Sequence, residues 1–109
     1  MFPYLTSGDE KPWVPGPYPG VELKILHRNE TTGSVTVLRK FRAGVTVPAH
    51  VHPLANETVY LLSGEWEEDS VIHIAGACFF APKGTLHGPH HARSEVISLT
   101  VFDGPLTVA

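Results

Sequence analysis

The stretch Gly44-Val45-Thr46-Val47-Pro48-Ala49-His50-Val51-His52-Pro53-Leu54-Ala55-Asn56-Glu57, running on through Thr58-Val59-Tyr60-Leu61-Leu62-Ser63 to Gly64, decides the fold. His50 and His52 stand two apart, so on an extended chain their side chains leave the same face. Pro53 bends the chain, and Glu57 opens a run of alternating β-branched and aromatic residues that reads as a strand. Glu57 is therefore expected beside the histidine pair, on the adjacent strand. A second punctuated segment, from Gly76 through Pro82 and Gly84 to His87, supplies a third imidazole after the turn signal Pro82-Lys83-Gly84. Three imidazoles and one carboxylate form a set that can bind a divalent first-row transition metal. Ligands so far apart along the chain need a closed scaffold to meet. Inside a small apolar barrel their burial is costly unless an ion compensates it.

Both segments resemble the two signature motifs of the cupin superfamily. The first motif (glycine, five residues, His-x-His, three or four residues, Glu, six residues, glycine) is matched by Gly44, His50, His52, Glu57 and Gly64. The second (glycine, five residues, Pro-x-Gly, two residues, His, three residues, Asn) is matched by Gly76, Pro82, Gly84 and His87, with His91 where the family has asparagine. That asparagine is not one of the four metal positions. The resemblance implies an all-β fold, a conical β-barrel of jelly-roll type. It also implies that His50, His52, Glu57 and His87 are the metal ligands and act in catalysis through the metal.

The rest of the chain agrees with one such domain. Its 109 residues support a single core, 42% of them are hydrophobic, and no apolar run approaches the ~20 residues of a membrane-spanning helix. Five of the ten prolines fall in residues 1–20 among Phe2, Tyr4, Trp13 and Tyr18, which reads as an extended N-terminal arm packed on the barrel or on a second subunit. The barrel is expected over residues 21–109. Val21 to Leu26 and Ser34 to Phe41 alternate as strands on either side of the turn Glu30-Thr31-Thr32-Gly33, suggesting a hairpin. Further strands are expected around 45–51, 58–62, 64–66, 71–74, 77–81 and 95–102, and no segment carries a helical period of adequate length.

A net charge of −3 with scattered Lys and Arg excludes a nucleic-acid footprint, and no membrane partner is expected. Nothing in Met1 to Gly8 reads as a signal peptide, so a cytoplasmic location is the default. The acidic run Glu65 to Asp69, with Trp66 inside it, is expected to be a solvated hairpin tip, and Cys78, flanked by apolar residues, to pack in the core. His27 and His73 read as surface or hydrogen-bonded core histidines. His90 and His91 read as loop-surface residues, with a proton-shuttling place at the pocket mouth as the alternative. Inward pocket walls are expected from Phe41, Tyr60, Phe80, Leu99 and Val101, with His91 a further candidate.

Within the superfamily, Trp13-Val14-Pro15, Gly20 to Leu26, Thr32 to Arg39, the His-x-His-Pro segment, Leu62-Ser63-Gly64-Glu65 and His87-Gly88-Pro89 resemble the subfamily of acetylacetone- and dihydroxyacetophenone-cleaving dioxygenases. The cupin half of certain anti-sigma factors belongs with them. The resemblance implies a mononuclear non-haem Fe(II) enzyme that cleaves a carbon–carbon bond in a small dicarbonyl or hydroxyketone substrate, with Glu57 a fourth ligand or a carboxylate that fixes an imidazole. Mn, Ni, Co, Zn or Cu could occupy the same ligands. A redox-neutral metal-dependent isomerase or lyase is the first rival, and a non-enzymatic metal or small-ligand sensor the second. The 109 residues are expected to leave no room for the partner-binding helical domain that such sensors carry. A homodimer is expected from the resemblance and from the aromatic arm.

Overall fold

Glycines and prolines break this chain into short segments whose β-branched and aromatic residues favour extended structure, and each segment pairs antiparallel to another. A computed structural model describes residues 1–106, so the last three residues of the barrel segment expected over 21–109 lie outside the described residues. After a turn of 3-10 helix (Gly8–Glu10) come β1 (Val14–Pro15), β2 (Val21–Arg28), β3 (Val35–Phe41), β4 (Thr46–Val47), β5 (Glu57–Ser63), β6 (Trp66–Glu68), β7 (Val71–His73), β8 (Cys78–Ala81), β9 (His90–Ala92) and β10 (Val96–Phe102). They form a sheet of order β1-β2-β3-β10-β5-β8 and a second of order β4-β9-β6-β7, and the all-β class is as expected. The described residues contain no helix long and apolar enough to cross a membrane.

Sheet parity decides what faces inward. Along β5, Glu57, Val59 and Leu61 are buried while Thr58, Tyr60 and Leu62 are exposed. Along β10, Val96, Ser98, Thr100 and Phe102 are buried, and Val101 is exposed. The core is built from these inner faces: Val21, Phe41, Val47, Val59, Leu61, Trp66, Ala92 and Val96 pack as one cluster, and Val35, Val37, Ala55 and Phe102 as another. Burying a Val, Leu or Phe side chain contributes roughly 1.5–3 kcal/mol each. Gly64, at φ +91°, makes the turn from β5 to β6 where any Cβ would run into the Glu95 carbonyl oxygen.

Several local expectations are corrected. The strand expected over 45–51 shortens to β4 because Pro48 has no N–H to continue the ladder, and His50 pairs with His87 as an isolated bridge. β9 was not expected, since His90-His91-Ala92 carries no β-branched run. The acidic run is no solvated tip: Trp66 is 4% exposed in the core, Glu67 and Glu68 are half-buried on β6, and the turn falls at Asp69 and Ser70, both with positive φ. Cys78 is exposed on β8, because parity turns Phe79 inward instead.

The aromatic arm lies along the barrel's own β2. β1 pairs with β2, the Tyr4 hydroxyl donates to the Leu26 carbonyl (2.7 Å), and the Trp13 ring sits beneath Lys24 and Lys40. Its last aromatic, Tyr18, comes within 6.2 Å of the His50 ring.

Candidate metal centre

The bridge between His50 and His87 is the foundation of the site. Each donates its backbone N–H to the other's carbonyl (2.9 and 3.0 Å), and the Gly84 N–H donates to the His52 carbonyl (2.9 Å). Two loops more than thirty residues apart are thereby zipped together with their imidazoles on one side. Glu57 enters from the first, inward position of β5. The potential ligand atoms of His50, His52, Glu57 and His87 all lie within 4.8 Å of one another, and the first three of these residues are buried.

Backbone carbonyls set the tautomers. His50 Nδ1 lies 2.7 Å from the Pro48 carbonyl oxygen and His87 Nδ1 3.1 Å from that of Thr85. A carbonyl only accepts, so Nδ1 carries the proton in both rings and Nε2 presents a lone pair, the arrangement a metal-binding histidine needs. Glu57 Oε1 lies 3.2 Å from both His52 Nε2 and His87 Nε2, while Oε2 accepts from Arg39 Nη2 at 2.8 Å. Burial opposes ionisation of Glu57, but Arg39 and the two histidines outweigh it and hold the carboxyl far below the usual carboxylate range. Burial and the neighbouring imidazoles lower the pKa of His50 against the raising effect of Pro48, whereas the adjacent Glu57 carboxylate raises that of His87 against burial.

These residues fit a metal ion. His87 Nε2 is buried and makes no hydrogen bond, although Glu57 Oε1 lies 3.2 Å away. An ion between the rings would satisfy that nitrogen and offset the clustered charge-bearing groups. Buried His50, His52, Glu57 and His87 could therefore bind a divalent metal.

A clamp outside the ligands holds their loops. The Asn56 backbone N–H and side-chain amide each donate to Asp103 at 2.7 Å, and the Asn56 side-chain oxygen accepts from the Lys83 N–H at 2.8 Å. One residue before Glu57, Asn56 thus ties the end of β10 to the turn that precedes His87. These hydrogen bonds, from the side chain first, depress the pKa of Asp103.

The cluster faces a cavity of about 490 Å³ lined by Val37, Phe41, Val47, Val59, Phe79 and Phe102, among others. Of the expected wall residues, Phe41 and Phe80 line it, although Phe80 is mostly exposed at 62%. Tyr60, Leu99 and Val101 do not, because they occupy the outward parity of β5 and β10. His91 also faces away, sharing a hydrogen bond with Thr46 Oγ1 (2.9 Å), as parity on β9 dictates. His90, expected on a loop surface, instead lines the cavity with Glu68, its Nδ1 against Glu68 Oε1. Burial works against the Glu68 charge, but His90 and Trp66 outweigh it and lower its pKa. His73, on the same inner face, packs edge-on against Phe79. Arg39 and Glu68 were missed by sequence reasoning, yet each had a signal: Arg39 shares the inward parity of Val35, Val37 and Phe41, and Glu68 that of Trp66.

A family model described as the ChrR cupin-like domain matches residues 3–107. The chain belongs to this cupin family. None of the curated proteins matches the chain. Among solved structures similar to this cupin, one from Methylibium petroleiphilum, provisionally named an acetylacetone dioxygenase, superimposes with a TM-score of 0.83 at 23% identity over 100% of this chain and 82% of its own. An acetylacetone dioxygenase from Acinetobacter johnsonii gives a TM-score of 0.77 at 25% identity, covering 97% of this chain and 76% of its own. The Rhodobacter sphaeroides complex of SigE with the anti-sigma ChrR gives 0.69 at 24% identity, over 87% of this chain and 50% of that one. The cupin jelly roll is thus the fold of this chain.

Proposed function

We propose that this cupin is a mononuclear non-haem Fe(II) dioxygenase that cleaves a carbon–carbon bond in a small dicarbonyl or hydroxyketone substrate. The observation that carries the reading is the convergence of three imidazoles and one carboxylate on the wall of a cavity otherwise lined mostly by apolar and aromatic side chains. Similarity to the acetylacetone dioxygenase of Acinetobacter johnsonii supports it. Held by His50, His52, Glu57 and His87, Fe(II) would supply Lewis-acid polarisation and one-electron chemistry with dioxygen.

The chain's own residues do the rest. The Pro48 and Thr85 carbonyls hold the His50 and His87 rings in the ligating tautomer. Arg39 balances the charge of Glu57 and fixes its orientation through Oε2, leaving Oε1 toward the imidazoles. Val37, Val47, Val59 and Phe102 exclude water from the space beside the ligands, where a substrate of about the size of a diketone fits. The overall reaction breaks one carbon–carbon bond and places both atoms of dioxygen in the products, so no further reductant is required.

The test is oxygen uptake by Fe(II)-reconstituted protein with a panel of diketones and hydroxyacetophenones, with Zn(II)-loaded protein as control. Uptake with iron alone and with one substrate class is the expected result. Turnover by the zinc form without oxygen would assign a redox-neutral isomerase or lyase instead. No turnover with either metal would move the reading to a ligand sensor.

A further inference from the structure

Holding Glu57 leaves most of the Arg39 guanidinium unused. Arg39 is the one lysine or arginine among the described residues that line the cavity. It points inward from β3 with Val35, Val37 and Phe41, and its side chain keeps 16% of its surface exposed, which from that face opens on the cavity. Of the five N–H donors of a guanidinium, one on Nη2 goes to Glu57 Oε2 at 2.8 Å. Nε is sealed off without a partner, whereas Nη1 is neither sealed nor hydrogen-bonded among the described residues, so Nη1 is the open donor. The surroundings supply no acceptor for it. The guanidinium carbon sits 5.3 Å from the Phe41 ring centre and 5.8 Å from that of Phe102, and Ser98, opposite Arg39 on β10, shares its hydroxyl with Thr100 Oγ1 (3.4 Å). The other carboxylate in the cavity wall, Glu68, faces His90 and accepts the Trp66 indole N–H at 2.9 Å. Only the Glu57 carboxylate separates Arg39 from the imidazoles, because its second oxygen lies 3.2 Å from both His52 Nε2 and His87 Nε2. A guanidinium stays charged at every pH the fold survives, so this donor is a fixed cation.

We propose that Arg39 determines specificity by donating, from Nη1, a hydrogen bond to a carboxylate of the ligand held at the His50, His52, Glu57 and His87 centre. This rests on the small-molecule reading above and deepens it: the ligand is an acid, a dicarbonyl or hydroxyketone whose carboxylate lies within a few bonds of its chelating oxygens, because the guanidinium is one carboxylate away from the imidazoles. Val37, Phe41 and Phe102 around the pair keep water from competing for a charge-assisted hydrogen bond. A neutral analogue leaves the donor and its charge unmatched, and a polar site rejects such analogues more strongly than an apolar wall rejects a changed methylene.

Zinc-loaded protein under anaerobic conditions provides the test, since no oxidation of the probe can occur. Binding is measured calorimetrically for 2,4-dioxopentanoate and for its methyl ester, which keeps the same dicarbonyl head and loses the charge. Wild type is expected to bind the acid roughly tenfold or more tighter than the ester. In Arg39→Met, with zinc stoichiometry verified, that ratio is expected to fall to about one, and in Arg39→Lys, whose single ammonium must serve both Glu57 and the ligand, to a few-fold. A purely structural role for Arg39 would weaken acid and ester alike and leave the ratio unchanged. If neither variant folds, nuclear magnetic resonance of the wild-type protein carries the test: the acid should shift the Arg39 guanidinium N–H signals and the ester should not. A wild-type ratio near one, a ratio unchanged in the variants, or guanidinium signals that respond equally to both probes overturns the assignment. Because zinc binding needs no redox chemistry, failure of oxygen uptake with iron would remove the dioxygenase reading and leave this ratio standing.

Discussion

Glu57 is the residue on which most of the site's electrostatics turns, since one oxygen is held by Arg39 and the other faces two imidazoles. Its folded pKa lies below the ordinary value of 4.5, so its contribution to stability is full above that pH and is lost as pH falls below it. Thermal melts of metal-free protein should therefore drop more steeply below about pH 4.5 for wild type than for Glu57→Gln. At neutral pH the same substitution is expected to weaken metal affinity at least tenfold to a hundredfold, read by competition with a chromophoric chelator. His52→Ala should abolish stoichiometric metal binding while the far-ultraviolet dichroism of the barrel persists; retained stoichiometry would remove the site as drawn. The spacing of His50, His52 and Glu57 was legible in the sequence because a ligand set is a pattern of residue types. The roles of Arg39, Glu68 and His90 were not read from it, since a charged residue beside a motif is usually solvated and only its parity on a strand says otherwise.

At the scale of the element, alternation governs both what is stable and what lines the site. Leu61 and Leu62 are neighbours on β5 with opposite fates, 1% and 45% exposed. Leu61→Ala should cost about 2–5 kcal/mol by chemical denaturation, whereas Leu62→Ala should stay within about 0.5 kcal/mol of wild type. The existence of β2, β3, β5, β8 and β10 was readable from runs of Val, Ile, Leu, Phe and Thr. Their inward faces were harder to read, which is why Tyr60, Leu99 and Val101 were placed in the cavity and proved to point out of it. An aromatic or branched residue favours a strand without saying which face it takes, and Glu57 at the start of β5 was the one fixed reference: counting in twos from it predicts Val59 and Leu61 inward. β9 escaped altogether because its pairing with β4 and β6 comes from tertiary context and not from the propensity of two histidines.

At the scale of the whole molecule, an ion bound at these four residues would be coupled to the fold. A metal that binds only the native state, at free concentration a hundred times its Kd, adds about 2.7 kcal/mol, which for a domain of this size raises Tm by roughly 10–20 °C. Chelation should reverse that shift in differential scanning fluorimetry, and Glu57→Gln should shrink it. The all-β class, the one-core size and the closure implied by distant ligands were all legible, because they follow from punctuation and from the need to bring residue 87 to residue 50. The path of the arm along β2 was not, since proline and tryptophan say only that the segment is extended and in need of cover.

The bridge that joins His50 to His87 also sets an order of events. An isolated His-x-His pair is a weak chelator, and the other two ligands arrive only when β5 has paired with β8 and β10 and the loops have zipped together. Those pairings close long stretches of chain and belong to the slow part of folding. A metal bound by these four ligands would therefore be captured late, by a barrel already formed. Which ion fills it depends on what the surroundings hold at that moment as much as on the intrinsic ranking of affinities, so protein prepared in different media should carry different metals in the same four ligands.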